Sequence, residues 1–184
     1  MKRILAVCLS FFLLFGCGKG DTSLQQALHL RENLLQANGC TFDIEIAADY
    51  GNEVHRFSLS CTADREGNIT FSVITPESIS GITGRFSPLG GQLTFDNTVL
   101  GFPLLADGTV SPVSAPWILL NTLRSGYITS TSSETEGYRL TVNDSYGEDA
   151  LQLDIWVKDM PQYAEILWRG RRIMTLQVEN FKLL

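Results

Sequence analysis

Three sets of residues carry groups that could react or bind. Cys17 directly follows Leu14-Phe15-Gly16, where an apolar run stops. Cys40 and Cys61 lie on two segments of alternating apolar and polar residues, where an exported chain could join them as a disulfide. Asp144, Glu148, Asp149 and Asp154 crowd one polar stretch, and paired carboxylates are what glycoside hydrolysis needs. The two histidines, His29 and His55, sit on separate predicted elements. Catalysis draws little support beyond this. There is no Gly-x-Ser-x-Gly elbow, no His-Glu-x-x-His pair and no clustered Cys/His metal spacing. Acidic residues beside a turn are most often solvated, so the expectation is a protein that is not an enzyme and needs no cofactor or metal.

Cys17 is informative because of what precedes it. Lys2 and Arg3 form a basic start, and Ile4 to Phe15 is apolar apart from Ser10. About 12 apolar residues are too few to span a bilayer core of ~30 Å. The layout fits an export signal, with Cys8 discarded inside it. The ending Leu14-Phe15-Gly16-Cys17 resembles the bacterial lipobox. That resemblance implies cleavage before Cys17 and diacylglycerol on its sulfur. Two acyl chains meet the two-signal requirement for stable anchoring. The expected organisation is a signal peptide over 1–16, a lipidated cysteine and short tether over 17–21, and one domain over 22–184. The body would face outward from a bacterial cell membrane, with the outer membrane left open as an alternative if the organism has one.

Charge narrows the partners. The chain has 184 residues and a formal net charge of −6, and losing Lys2 and Arg3 makes it more negative. The densest basic stretch is Arg169-Gly170-Arg171-Arg172. Nucleic-acid binding is therefore not expected, and anionic lipid would weakly repel the body. Attachment must come from the lipid.

The elements that position these residues read as strands with two helices. Ser23 and Gln26 fit a capping box for a first helix carrying Leu24, Ala27, Leu28, Leu34 and Leu35, with Gly39 as its stop. Cys40, Phe42, Ile44 and Ile46 alternate, as do Phe57, Leu59 and Cys61. A two-residue turn at Tyr50-Gly51 would set Cys40 opposite Cys61, Phe42 opposite Leu59 and Ile44 opposite Phe57. That register predicts a Cys40–Cys61 disulfide, with two buried free thiols as the alternative. Ile69, Phe71 and Val73 form a third strand that Pro76 ends. Weaker strands are expected near Ile79 to Phe86 and Gln92 to Phe95, and loop from Asn97 to Val113. Ser114, Pro116 and Gly126 delimit a second helix with Trp117 and Leu120. Strands follow over Tyr127 to Ser132, Tyr138 to Val142, Leu151 to Val157, Tyr163 to Trp168 and Arg171 to Phe181, and the pattern leaves the inward face of the last two undecided. Hairpin order with two separated helices gives an α+β, antiparallel fold.

Three stretches carry a further resemblance: Pro76-Glu77-Ser78-Ile79, Ser114-Ala115-Pro116-Trp117, and Pro161 to Ile166 in the next-to-last strand. With the element order, they resemble the bacterial lipoprotein-localisation-factor superfamily over roughly residues 22–184. The resemblance implies a strongly curved, incomplete β-barrel covered by an N-terminal helix and a short Pro-Trp lid helix, holding an acyl or lipid ligand. Its cavity lining would be Phe42, Ile44, Phe57, Leu59, Phe71, Val73 and Trp117, with Leu24 and Leu28 from the lid. It also implies a cargo-gating arginine, for which Arg56 and Arg85 are the candidates, and an exposed loop hydrophobe, Ile79 or Leu89. The same apolar residues would equally make a filled core. In that case the protein is a scaffold binding or activating a cell-envelope partner, as in the germination lipoproteins that share this layout.

Overall fold

The computed structural model describes residues 22–96, 98–102, 105–106 and 109–184. The predicted signal peptide, Cys17 and the tether lie outside these described residues. Helix α1 (Thr22–Gln36) leads into β1 (Gly39–Asp49), β2 (Val54–Asp64) and β3 (Ile69–Thr75). A 3-10 turn (Glu77–Ile79) precedes β4 (Thr83–Ser87), β5 (Gly90–Phe95) and β6 (Thr98–Phe102). The short strands β7 (Leu105–Ala106) and β8 (Thr109–Val110) pair with each other, and helix α2 (Ala115–Ser125) follows. The chain closes with β9 (Tyr127–Glu134), β10 (Gly137–Asn143), β11 (Leu151–Val157), β12 (Pro161–Trp168) and β13 (Arg171–Leu183).

One antiparallel sheet of eleven strands holds the molecule together, in the order β6-β5-β4-β3-β2-β1-β13-β12-β11-β10-β9. Two meanders meet where the last strand pairs with the first, with Ile44 opposite Val178. The sheet stays open, an incomplete barrel with β6 and β9 as its edges. Register irregularities interrupt β1–β13, β2–β3, β9–β10, β11–β12 and β12–β13. Each unmatched residue bends its strand and adds twist, which curves the sheet.

Strict alternation places one row per strand on the concave face. β1 contributes Phe42, Ile44, Ile46 and Ala48, and β13 contributes Met174, Leu176 and Val178, all buried. β11 and β12 bring Leu153, Ile155, Ala164 and Ile166. The inward face of the last hairpin, undecided by its sequence, is thereby settled. α2 adds Ile118, Leu119, Leu120 and Leu123.

Four expectations need correction. The β1–β2 loop runs over Tyr50 to Glu53, where Tyr50 N–H donates to the Glu53 carbonyl (3.1 Å). The longer loop offsets the register by two residues, so Phe42 faces Cys61, Ile44 faces Leu59 and Cys40 faces Ala63. Parity is conserved, so the same residues remain inside, but Cys40 and Cys61 are not opposed. Both are buried free thiols, and no disulfide joins them. Burial pushes Cys40 up to about 11 and Cys61 further still, so both are poor nucleophiles. Second, Gly39 does not stop α1; it begins β1 at φ 152°, against the backbone of Ala63. Third, β4 begins at Thr83, because Ile79 belongs to the 3-10 turn. Fourth, the stretch expected to be loop contains β6 and the β7–β8 hairpin; Asn97 lies outside the described residues.

Gly137 shows how one backbone position can hold a register. It opens β10 at φ 99°, and a Cβ there would collide with the Val157 carbonyl across the ladder. Left-handed strain and a backbone clash act together, so Gly137→Ala should cost about 2–4 kcal/mol of unfolding free energy. Urea titration would show it as a lowered midpoint; an unchanged midpoint would contradict the collision.

Candidate functional site

The expected cavity residues are largely brought together, but as core. Phe42, Ile44, Leu59, Phe71 and Val73 share the concave face at 0–4% exposure. Phe42 stacks on Phe181 at 5.2 Å, and Phe71 on Phe86 at 5.6 Å. Phe57 and Trp117 are half-buried. Leu24 and Leu28 do not join them. α1 turns Ser23, Ala27, Leu30 and Leu34 inward, which leaves Leu24, Leu28 and Leu35 in solvent. Arg31 fixes this rotation: its Nε donates to the Leu123 carbonyl (2.7 Å) and its Nη2 to the Gly126 carbonyl (2.8 Å).

At one end of the half-barrel the packing opens. A cleft of about 340 Å³ lies among Val110, Trp168, Ile173, Met174 and Tyr50. Two hairpins build it. The β1–β2 loop supplies Asp49 and Tyr50, and the β12–β13 turn supplies Arg169 and Arg171. Trp168 pairs with Leu151 and Arg171 across the ladder, which puts it on the concave side. Met174 and Val110 are buried and form an apolar floor. The rim is charged. Arg169 lies 4.7 Å over the Trp168 ring and binds Asp149 Oδ1 at 2.7 Å, while Arg171 approaches Asp49 at 3.8 Å. Exposed pairs of this kind are worth little each, so either guanidinium can turn to a ligand anion at small cost. The arrangement suits an apolar chain on the floor and a polar group at the rim.

A putative outer membrane lipoprotein-sorting protein domain from Vibrio parahaemolyticus superposes with a TM-score of 0.51 at 8% identity. The match covers 88% of this chain and 92% of that one. This chain shares the fold of that domain. An uncharacterized conserved protein from Thermus thermophilus (TM-score 0.49, 15% identity, 88% of each chain) is also similar. So is a LolA superfamily protein from Nitrosomonas europaea (TM-score 0.48, 10% identity, 88% of this chain and 93% of that one). No family model matches the sequence, and no curated protein matches it significantly.

The remaining candidates fall outside the cleft. Arg56 lies opposite Ala47 and Arg85 opposite Thr70, both exposed on the convex side. Arg85 lines a groove of about 750 Å³ with Asn68, Ser87 and Gln92. That groove is larger than the cleft and includes Leu89, but it is open and lies on the wrong side of the sheet to reach the apolar interior. Ile79 packs against the core, whereas Leu89 is 99% exposed at the tip of the β4–β5 hairpin. Glu148 is exposed, and the other three candidate carboxylates take structural roles. Asp144 accepts the Leu151 N–H (2.8 Å), Asp154 accepts the Thr141 hydroxyl (2.7 Å), and Asp149 holds Arg169. His29 is exposed beside Asn33, and His55 lies 3.3 Å from Glu53. Among the described residues, no group of three or more His, Cys, Asp or Glu is placed to hold a metal.

Sequence reasoning did not single out Trp168, Ile173, Met174 or Val110. The first three lie in the last two strands, whose inward face the pattern left open. Val110 sits in a stretch that reads as loop.

Proposed function

We propose that this protein is a non-enzymatic, membrane-anchored lipoprotein on the extracytoplasmic face, which binds an acyl-bearing ligand at the mouth of its half-barrel. The observation that carries the reading is the apolar cleft between Trp168 and Val110, floored by Met174 and rimmed by Arg169 and Arg171. An acyl chain entering there leaves water at about 0.8 kcal/mol per buried CH₂. Its ester or anionic head stays at the rim, within reach of the two guanidiniums. Lipidation of Cys17 holds the body at the membrane that supplies the ligand. Among the described residues no helix is long and apolar enough to cross a membrane.

The test is native mass spectrometry of the chain from Cys17 onward, carrying Cys17→Ser and purified without detergent. Bound lipid should appear as extra mass that leaves on denaturation. Trp168→Ala should weaken retention of added fatty acid about ten-fold, the effect of ~1.4 kcal/mol. A clean unliganded mass, under conditions where a known acyl carrier retains its ligand, would reject the binding reading.

One observation favours a second reading, a scaffold for an envelope partner protein. Among the described residues the β6 edge is unpaired and apolar: Val99 and Leu100 are exposed there, with Phe95 close by in the β5–β6 hairpin. A partner strand could add to it. The unliganded outcome above would move the assignment to this surface.

A further inference from the structure

Helix α1 carries three ridges although two would suffice. Ser23, Ala27, Leu30 and Leu34 face the core. A polar ridge holds His29 and Glu32, which bond along the helix to Asn33 and Gln36. Between them runs a third ridge, Leu24, Leu28 and Leu35, at 39%, 50% and 48% exposure. Steps of four and seven residues keep these leucines in one line along a helix. Arg31, whose two hydrogen bonds hold α1 against α2, prevents the helix from rolling to bury them. The packing therefore fixes an apolar stripe in solvent.

We infer that this stripe rests on the outer surface of the anchoring membrane and sets the orientation of the body. The inference rests on the reading that Cys17 is lipidated and on the short tether that follows it. From Cys17 to Thr22 is five residue steps, a reach of at most ~18 Å even if fully extended. Leu24 follows two helical steps later, at ~1.5 Å each. A helix tied so closely to a lipid cannot avoid the bilayer surface, and its apolar side is the one that gains by meeting it. Three leucines alone give weak interfacial binding, which scales with buried apolar area. The short tether makes the contact intramolecular and raises its effective concentration. The charges suit a zwitterionic surface: α1 carries one arginine and one glutamate, so the repulsion expected of the acidic body is absent on this side.

The experiment uses the full lipidated chain in phosphatidylcholine vesicles. Leu24→Cys, Leu28→Cys, His29→Cys and Leu89→Cys are each labelled with nitrobenzoxadiazole; the native Cys40 and Cys61 are buried and should not compete. Acylation of Cys17 is checked by mass on the same sample. The labels at 24 and 28 should shift to shorter wavelength and be quenched by nitroxide-bearing lipid, while the label at 29 stays in water. With Cys17 acylated, unquenched labels at 24 and 28, or quenching at 89 in their place, would overturn the inference and leave anchoring intact. A missing acyl group would overturn both. A shift without vesicles that grows with protein concentration would assign the stripe to a second copy of the chain and also overturn it.

Discussion

Phe42→Ala is expected to lower the unfolding free energy by about 3–5 kcal/mol, among the largest losses any single side chain here can give. Phe42 is 2% exposed on β1, at the centre of the sheet, and stacks on Phe181 with the rings 12° from parallel. Removing it takes away transferred apolar area and leaves a void that β1 and β2 cannot close, since both are pinned by neighbouring strands. A domain of this size has only about 5–15 kcal/mol to lose. Phe57→Ala, at a half-buried position on the same face, should cost distinctly less. The comparison also tests the interior. If Phe42→Ala loses under about 1 kcal/mol in urea, with an unchanged m-value, then Phe42 lines space and does not fill it, and the acyl site runs deeper than the mouth.

Arg31→Met is the second large effect, at about 2–4 kcal/mol. The guanidinium reaches from α1 to the carbonyls of Leu123 and Gly126 at the end of α2. Those carbonyls are the unpaired, partly negative end of the helix, so a cation there meets both the hydrogen-bond need and the dipole. Methionine preserves the stem and leaves two acceptors without their donor. Burial lowers the Arg31 pKa from its ordinary value, yet an arginine stays charged throughout the working range. Arg31→Lys should recover only part of the loss, because one ammonium cannot copy the fork. Thermal melts with amide exchange across α2 would show this: full rescue by lysine would mean that charge alone matters at this position.

How far the sequence could be read depended on which symmetry each question involved. Alternation has period two, so it told inside from outside on β1, β2, β3, β10 and β11 without ambiguity. It could not distinguish a register from one shifted by two residues, because both keep Phe42, Ile44 and Leu59 inside. The loop made that choice: Asp49 Oδ1 accepts the Gly51 N–H at 2.7 Å, and the turn extends to Glu53. The expected cysteine pairing failed with the register. Helix α1 failed differently. Leu24, Leu28 and Leu35 share a side, and hydrophobicity alone nominates them for the core. The side that packs instead carries Ser23, whose hydroxyl meets that of Ser133 at 2.8 Å, and small Ala27, which allows close approach. The mouth was hardest to see. It is assembled from strand ends and a β7–β8 hairpin whose residues have no periodicity to follow.

The two edges of the sheet are chemically unlike. β9 ends it with Thr129, Ser130, Thr131, Ser132 and Ser133, whereas β6 ends it with Val99 and Leu100 in solvent. Proteins blunt exposed edges against unwanted pairing with bulges and covering elements, and here β9 carries a bulge at Thr129 and is met by α1 at Ser133. A sheet with a single adhesive edge has a valence of one. Strand addition at β6 joins one partner and then has nowhere to continue, so any such assembly stops at a pair and does not propagate into a fibre.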